Sequence, residues 1–308
     1  MGDFSLARTV LTRDLHAANG KLIAARGEII DLARLKEVAA KAPKQDRQRP
    51  LHETPLAAAV LDSFEAAPLT HFVEDPEARA KVADALVDVR FHEGVWEELD
   101  LLCKEDPSRH QHAIWTAVVA ARLFRAAMGE APGLSRLIGG ALVHDIGMRH
   151  ASPRLRTKRN HLTRAEAMAL EDHPLLGALL LANACGDSPV VHFALLHHSR
   201  AGYGYPRVEG RPVLRGLDLI SVASAFAAMV APRPYRMEAF DARGAADQLC
   251  DEAAAGHFDD RAVKLLIHCL RGGKGAPREV RLPKRQTGFR PTRNNHHGTE
   301  RPEAATGT

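Results

Sequence analysis

Cysteines and aromatic residues are scarce in this sequence of 308 residues. The four cysteines are scattered, and no two of them form a C-x-x-C pair. A disulfide framework or a zinc knuckle is therefore not expected, and the cysteines are interpreted as reduced thiols. Aromatic residues make up 5% of the chain, whereas alanine and leucine are abundant. This bias favours helices over sheets.

Long apolar runs are also missing. Residues 1–20 contain no apolar core of the kind found in a signal peptide. No segment reaches the roughly 18 consecutive apolar residues of a membrane span. We therefore expect a cytoplasmic protein without a membrane-spanning segment.

Charge is balanced everywhere except near the C-terminus. The net charge is +4; residues 281–308 hold six Lys or Arg and two Glu, and the other 280 residues hold 36 basic and 36 acidic side chains. A body without net charge is not a general polyanion binder, so no DNA or RNA partner is expected. The basic end is more typical of a solubility feature than of a nucleic-acid-binding arm.

The chain divides into three parts by composition and periodicity. Residues 1–95 are predicted to form a small N-terminal module of uncertain role, with a hairpin turn at Asn19-Gly20 and a helix capped by Asp31. Residues 96–274 have helical periodicity, with Thr163 and Glu166 as a capping box and an apolar, central helix within 216–231. Residues 275–308 have the composition of a disordered basic tail. The predicted fold class is mainly α, a helical bundle with a small additional module.

Several histidines fall at predicted helix ends. His144 and Asp145 continue the apolar face of one helix, His198 continues that of another, and His112 and His173 lie near helix starts. Any one of them could be an ordinary hydrogen-bonded core histidine. Helix ends converge in bundles, however, and imidazole with carboxylate suits iron, manganese, zinc or cobalt. A carboxylate within such a set can bridge two metals that activate water against a phosphodiester.

The segment that follows His144 and Asp145 is basic. Residues 146–165 contain six Lys or Arg and no acidic residue. On charge alone, this segment fits either a phosphate-binding patch or a solvated basic loop.

These motifs together resemble the HD-GYP domain family, the branch of the HD superfamily that hydrolyses cyclic di-GMP. The matching stretches are HDIG at 144–147, HP at 173–174, HHSRAGYGYP at 197–206 and GHFDDRAV at 256–263, and they occur in order between about 106 and 272. The resemblance implies an all-helical domain with two divalent metal ions, iron or manganese rather than zinc. It also implies a cyclic dinucleotide as substrate, and the protein could act as a homodimer or with a signalling partner.

The resemblance assigns a role to each matching position. Asp145 is expected to bridge the metals beside a catalytic, metal-bound water. Lys158, Tyr205 and Arg236 correspond to substrate-side positions. The full set of implied metal ligands is His112, His144, Asp145, His173, His197 and His198.

The sequence departs from the family pattern at other positions. Ser224 and Ala227 stand where the family carries aspartates, and Ser224 is the degenerate ligand position. Ser199 replaces a glutamate, Met148 a lysine and Ser108 a glutamate that supports a third metal in some members. Two hypotheses follow: a metal-dependent cyclic-dinucleotide phosphodiesterase, or a degenerate domain that binds a cyclic dinucleotide or a signalling partner without turnover.

Overall fold

The protein is described here from a computed structural model. The described residues are 7–43, 47–151, 155, 158, 162–200, 203–207, 215–233, 238–282 and 287–291. The predicted mainly helical class is confirmed.

The N-terminal region is built from two small antiparallel strand pairs. Strand β1 (Arg8–Val10) pairs with β4 (Ile29–Asp31), and β2 (Leu15–His16) pairs with β3 (Leu22–Ala24). The Asn19-Gly20 turn joins β2 to β3, and Gly20 has a φ of 83°, in the left-handed region that glycine tolerates. The hairpin predicted at this dipeptide is confirmed.

Helix α1 (Leu32–Ala40) begins at Asp31, whose carboxylate accepts a hydrogen bond from the Arg34 amide at 2.9 Å. The predicted cap is confirmed, since a side-chain oxygen satisfies an amide that has no partner within the helix. The chain then forms the helices α2 (Leu56–Asp62), α3 (Ala67–Val73), α4 (Pro76–Val87) and α5 (Glu93–Glu105). The two-residue strands β5 (Arg49–Pro50) and β6 (Arg90–Phe91) pair antiparallel beside them.

The remaining elements form the helical body. Thr163 and Glu166 make the predicted capping box at the start of α8. In chain order the elements are α6 (Pro107–Met128), α7 (Leu134–Val143), a 3₁₀ turn (Ile146–His150), α8 (Arg164–Glu171), α9 (His173–Cys185), α10 (Pro189–Leu196), the paired strands β7 (Ser199–Arg200) and β8 (Tyr203–Gly204), α11 (Leu217–Val230), α12 (Ala242–Ala254) and α13 (Asp260–Leu270).

Helices α6 and α11 lie at the centre of the core. The apolar α11 packs along α6, as its all-round hydrophobicity predicts. Helix α6 is buried on every side between His112 and Ala121. Its faces away from α11 are covered by α4, α5, α7 and α13.

The N-terminal region and the helical body share one hydrophobic core. That core includes Leu15 and Ile30 as well as Val118 and Leu266. The domain boundary proposed between residues 95 and 96 falls inside α5. Among the described residues, no helix has the length and apolar character needed to cross a lipid bilayer.

Part of the predicted tail contacts the body. The amides of Thr287 and Gly288 donate to the Asp247 carboxylate at 2.9 and 3.1 Å, and Arg290 pairs with Asp251. Residues 287–290 are therefore packed against α12. Residues 292–308, where disorder was also predicted, lie outside the described residues.

Candidate metal centre

Helix ends bring the six predicted metal ligands together. His144 ends α7 and Asp145 follows it; His173 begins α9; His197 ends α10 and His198 follows it. His112 reaches the same place from the second turn of α6. All six are buried except His198, which is half-buried.

The donor atoms form two adjoining groups. Those of His112, His144 and Asp145 lie within 4.8 Å of one another, and so do those of His173, His197 and His198. Asp145 faces both groups. Its Oδ1 lies 3.1 Å from Nε2 of His173, and its Oδ2 lies 4.0 Å from Nε2 of His112.

Backbone carbonyls orient three of the imidazoles. The Nδ1 atoms of His144, His173 and His197 lie 2.7, 2.7 and 2.8 Å from the carbonyl oxygens of the third residue before each. A carbonyl can only accept, so each Nδ1 carries the proton. Each Nε2, directed at the cluster, is then the atom available as a metal ligand, and the carbonyl contact increases its basicity.

Close packing of the 3₁₀ turn on α9 places Asp145 beside His173. Gly147 lies against the His173 carbonyl oxygen and Gly177, and a β-carbon on Gly147 would collide with that oxygen. The glycine of the HDIG motif is therefore needed for this contact.

Burial favours the neutral form of four of the imidazoles, and neighbouring groups keep the Asp145 carboxylate ionised. Burial lowers the pKa of His144, and it lowers the pKa values of His112, His197 and His198 well below 6.5, with neighbouring cationic groups adding to the effect. Burial acts to raise the pKa of Asp145, but His173 and the Arg109 guanidinium hold it well below 3.8. Neutral imidazoles and a carboxylate are the protonation states that a metal requires.

These residues can hold a metal ion. Asp145, His173, His197 and His198 supply three nitrogens and one oxygen, and two of the three histidines have the carbonyl partner typical of metal ligands.

Ser224 stands at the position where the HD-GYP pattern has an aspartate. Its Oγ lies 3.0 Å from Nε2 of His144 and 3.4 Å from Nε2 of His112. The residue is buried, so its hydroxyl joins two ring nitrogens in place of a carboxylate.

The predicted substrate-side residues have different surroundings. The Tyr205 ring stacks on His198, with centroids 4.7 Å apart, and burial raises the pKa of its hydroxyl, which stays protonated. Lys158 pairs with Glu166 at 2.6 Å, so its described contact is the capping box of α8. Arg236 lies outside the described residues. The roles predicted for these three residues stay predictions.

Two features of the site were missed from the sequence. Arg109, one helical turn before His112, places its Nη1 3.4 Å from Oδ2 of Asp145. The i,i+3 spacing puts both residues on one face of α6 and could have indicated this contact. Arg149, part of the basic segment, has an almost fully buried side chain that pairs with Glu98 at 2.9 Å and Glu105 at 3.6 Å. Its charge is therefore already balanced by carboxylates.

The comparison with protein families agrees with this geometry. The HD domain profile matches residues 99–262, which is more than half of the chain. This chain belongs to the HD domain family. The match covers the six predicted ligands, from His112 to His198, and Ser224.

Several relatives of this HD domain protein have named activities. It is 34% identical over 97 residues to 3'3'-cGAMP-specific phosphodiesterase 1 of Vibrio cholerae, covering 31% of this chain and 22% of that protein. It is 30% identical over 150 residues to a cyclic di-GMP phosphodiesterase of Thermotoga maritima, covering 46% of this chain and 40% of that protein. The chain thus spans less than half the length of either relative.

Among solved structures, the HD domain of the L. monocytogenes phosphodiesterase PgpH, in complex with cyclic-di-AMP, aligns with 60% of this chain and 99% of its own. The TM-score is 0.44 and the sequence identity 17%.

Proposed function

We propose that this HD domain protein is a metal-dependent phosphodiesterase that hydrolyses a cyclic dinucleotide. The observation that carries the proposal is the convergence of Asp145, His173, His197 and His198, which come from the ends of three helices, α7, α9 and α10. The relatives named as cyclic-dinucleotide phosphodiesterases support the substrate class. The donor set suits iron, manganese, zinc or cobalt, and the family resemblance favours iron or manganese.

Asp145, His173, His197 and His198 would hold a divalent ion, which would supply Lewis acidity and activate a water at neutral pH. The chain's own residues orient the ligand rings and determine the charge around the ion. The carbonyls of Leu170 and Ala194 fix the rings of His173 and His197. Asp145 provides negative charge that partly balances a cation, and Arg109 lies where an anionic substrate can meet a guanidinium.

Loss of turnover is the second candidate function, favoured by Ser224. A hydroxyl in place of a carboxylate weakens one half of a two-metal site. In this alternative, the protein binds a cyclic dinucleotide or a signalling partner without hydrolysing it. Association with such a partner, or with a second copy of the chain, stays a prediction.

The test separates turnover from binding. Purified protein is stripped with a chelator, reloaded with Mn²⁺ or Fe²⁺ and assayed for metal content by elemental analysis. It is then incubated with cyclic di-GMP, 3'3'-cGAMP or cyclic di-AMP, and linear product is followed by chromatography. We expect product from the loaded wild type and none from Asp145→Ala. A metal-loaded wild type that binds these compounds but forms no linear product would support the second candidate.

His192→Ala is the matched control for this test. His192 lies on α10, one and a half turns before His197, but it is exposed and pairs with Asp187. Its substitution removes an imidazole without touching the cluster, so metal content and product formation should equal those of the wild type.

A further inference from the structure

The two oxygens of Asp145 face different surroundings. Oδ1 lies 3.1 Å from Nε2 of His173 and 4.0 Å from Nε2 of His197. Oδ2 lies 3.4 Å from the Arg109 guanidinium and 4.0 Å from Nε2 of His112. One oxygen therefore faces imidazoles alone, while the other already has a cationic partner.

The hydrogen bonds of Ser224 determine the tautomers of His144 and His112. His144 donates from Nδ1 to the Ala141 carbonyl, so the Nε2 of a neutral His144 is an acceptor. The single hydroxyl proton of Ser224 is then donated to His144, and the Ser224 oxygen accepts from Nε2–H of His112. In this arrangement the Nε2 atoms of both imidazoles are engaged by one hydroxyl.

His112 also lacks the partner that orients the other ligands. Its Nδ1 is buried, and no hydrogen-bond partner for it lies among the described residues. His144, His173 and His197 each have a carbonyl at this position. Without that contact, the tautomer with a free Nε2 lone pair is not stabilised, and His112 is a weaker ligand.

The charge on the side of the site that holds His112, His144 and Ser224 favours an anion over a second cation. Arg109 contacts Asp145 at 3.4 Å, and the Ser224 hydroxyl lies between the Nε2 atoms of His144 and His112. One guanidinium group and a hydroxyl therefore line this half of the site, with no second carboxylate among the described residues. Positive charge repels a divalent ion at short range and binds phosphate oxygens through charge-assisted hydrogen bonds.

We propose that this chain binds one metal ion, through Asp145, His173, His197 and His198, and that the other half of the site binds a phosphate oxygen of the substrate. In that half, Arg109 supplies the positive charge, and the side chains of Ser224, His112 and His144 line the position of the phosphate oxygen. The proposal rests on the proposed function, because it assigns the substrate phosphate to a position beside the metal. It replaces the two ions implied by the family resemblance with one ion and one guanidinium.

Metal stoichiometry tests the first part. Stripped protein is loaded with excess Mn²⁺, desalted and analysed for manganese, and its electron paramagnetic resonance spectrum is recorded. We expect one Mn²⁺ per chain and an uncoupled spectrum. Two ions per wild-type chain with an exchange-coupled spectrum would overturn the proposal, whatever the activity of the sample.

Substitutions at Ser224 show whether the missing carboxylate is the cause. Ser224→Asp should raise the content to two Mn²⁺ per chain and produce the coupled spectrum. Ser224→Ala removes the hydroxyl without supplying a ligand, so its content should stay at one. If Ser224→Asp folds and still binds one ion, Ser224 is not what limits the site to one metal.

Phosphate binding tests the second part. Inorganic phosphate is titrated into Mn²⁺-loaded protein by calorimetry. Arg109→Gln should bind it roughly tenfold more weakly, the effect of losing one hydrogen bond to a charged group, with manganese content unchanged. Arg109→Lys should lie in between, since it keeps a point charge but loses the planar fork. Arg125→Gln, which removes a guanidinium from the far end of the same helix, should match the wild type.

Failure of this inference and failure of the proposed function give different results. Wild-type affinity for phosphate in Arg109→Gln, or no phosphate binding at all, would overturn the anion subsite. One metal and Arg109-dependent phosphate binding without any linear product would support the subsite and contradict the phosphodiesterase. Linear product from a protein with two exchange-coupled ions would support the phosphodiesterase and contradict the one-metal site.

Discussion

At the scale of single residues, the site depends on which ring nitrogen carries the proton. The carbonyls of Ala141, Leu170 and Ala194 hold three Nδ1 atoms as donors, so the three Nε2 atoms face the cluster. His173 is the most engaged of the three, with Nε2 3.1 Å from Asp145 and 3.2 Å from Nε2 of His197.

Removal of His173 should therefore empty the site. Loss of an outer hydrogen-bond partner typically costs a metal site about 10- to 100-fold in affinity, and loss of a direct ligand should cost more. We expect His173→Ala to lower Mn²⁺ affinity by over 100-fold, measured by competition with a fluorescent chelator. Wild-type affinity in this variant would remove His173 from the ligand set.

Tyr205 offers a second test at this scale, because its ring and its hydroxyl can be separated. The ring stacks on His198, an arrangement worth about 1 kcal/mol beyond its buried area. Tyr205→Phe should keep this stacking and the metal content, whereas Tyr205→Ala should lower both the metal affinity and the free energy of unfolding. A rise in KM for Tyr205→Phe alone would indicate that the hydroxyl contacts substrate.

At the scale of elements, a buried ion pair joins the N-terminal hairpin to the 3₁₀ turn that follows Asp145. Arg149, in the 3₁₀ turn after Asp145, pairs with Glu98 of α5 and donates to the His16 carbonyl at 3.1 Å. Glu98 also accepts from the Ala18 amide at 2.7 Å. Both side chains are almost fully buried. Burial raises the pKa of Glu98, and the nearby Arg149 opposes that rise.

Arg149→Met should destabilise the fold because it leaves the Glu98 carboxylate buried without its cation. The expected loss is about 3–5 kcal/mol in the free energy of unfolding, measured by urea denaturation at neutral pH. Adding Glu98→Gln to this variant should recover part of the loss, since the unpaired charge is removed. If the two substitutions were simply additive, the pair would not be coupled in the folded protein.

At the scale of the whole molecule, the helical class, the hairpin turn and the helix caps could be predicted because they depend on local pattern. Asn19-Gly20, the Asp31 cap and the capping box at Thr163 are encoded within a few residues. The i,i+3 spacing of Arg109 and His112 indicates a shared helix face, but neither the Asp145 partner of Arg109 nor the place of Ser224 between His112 and His144 could be predicted. These contacts join residues 36, 80 and 112 positions apart, and only the packing of α6, α7 and α11 determines them.

The cluster also makes the stability of the whole chain depend on pH. The pKa values of His144, His112, His197 and His198 are lowered below 6.5 in the folded protein, mainly by burial. Below pH 6.5 the unfolded chain therefore binds more protons than the folded one. The stability is fully present above pH 6.5 and is lost as the pH falls. Each such histidine contributes a slope of about 1.4 kcal/mol per pH unit.

We therefore expect the metal-free protein to lose free energy of unfolding as the pH falls from about 7 to about 5, with a slope that exceeds that of one histidine. Urea denaturation in a chelator-containing buffer measures this slope. His197→Gln should reduce it, because a buried group that is protonated only in the unfolded chain is removed. A stability that did not vary with pH in this range would mean that the buried imidazoles accept protons without unfolding.

Because protonation and metal binding compete for the same nitrogens, bound Mn²⁺ should shift the loss of stability to lower pH.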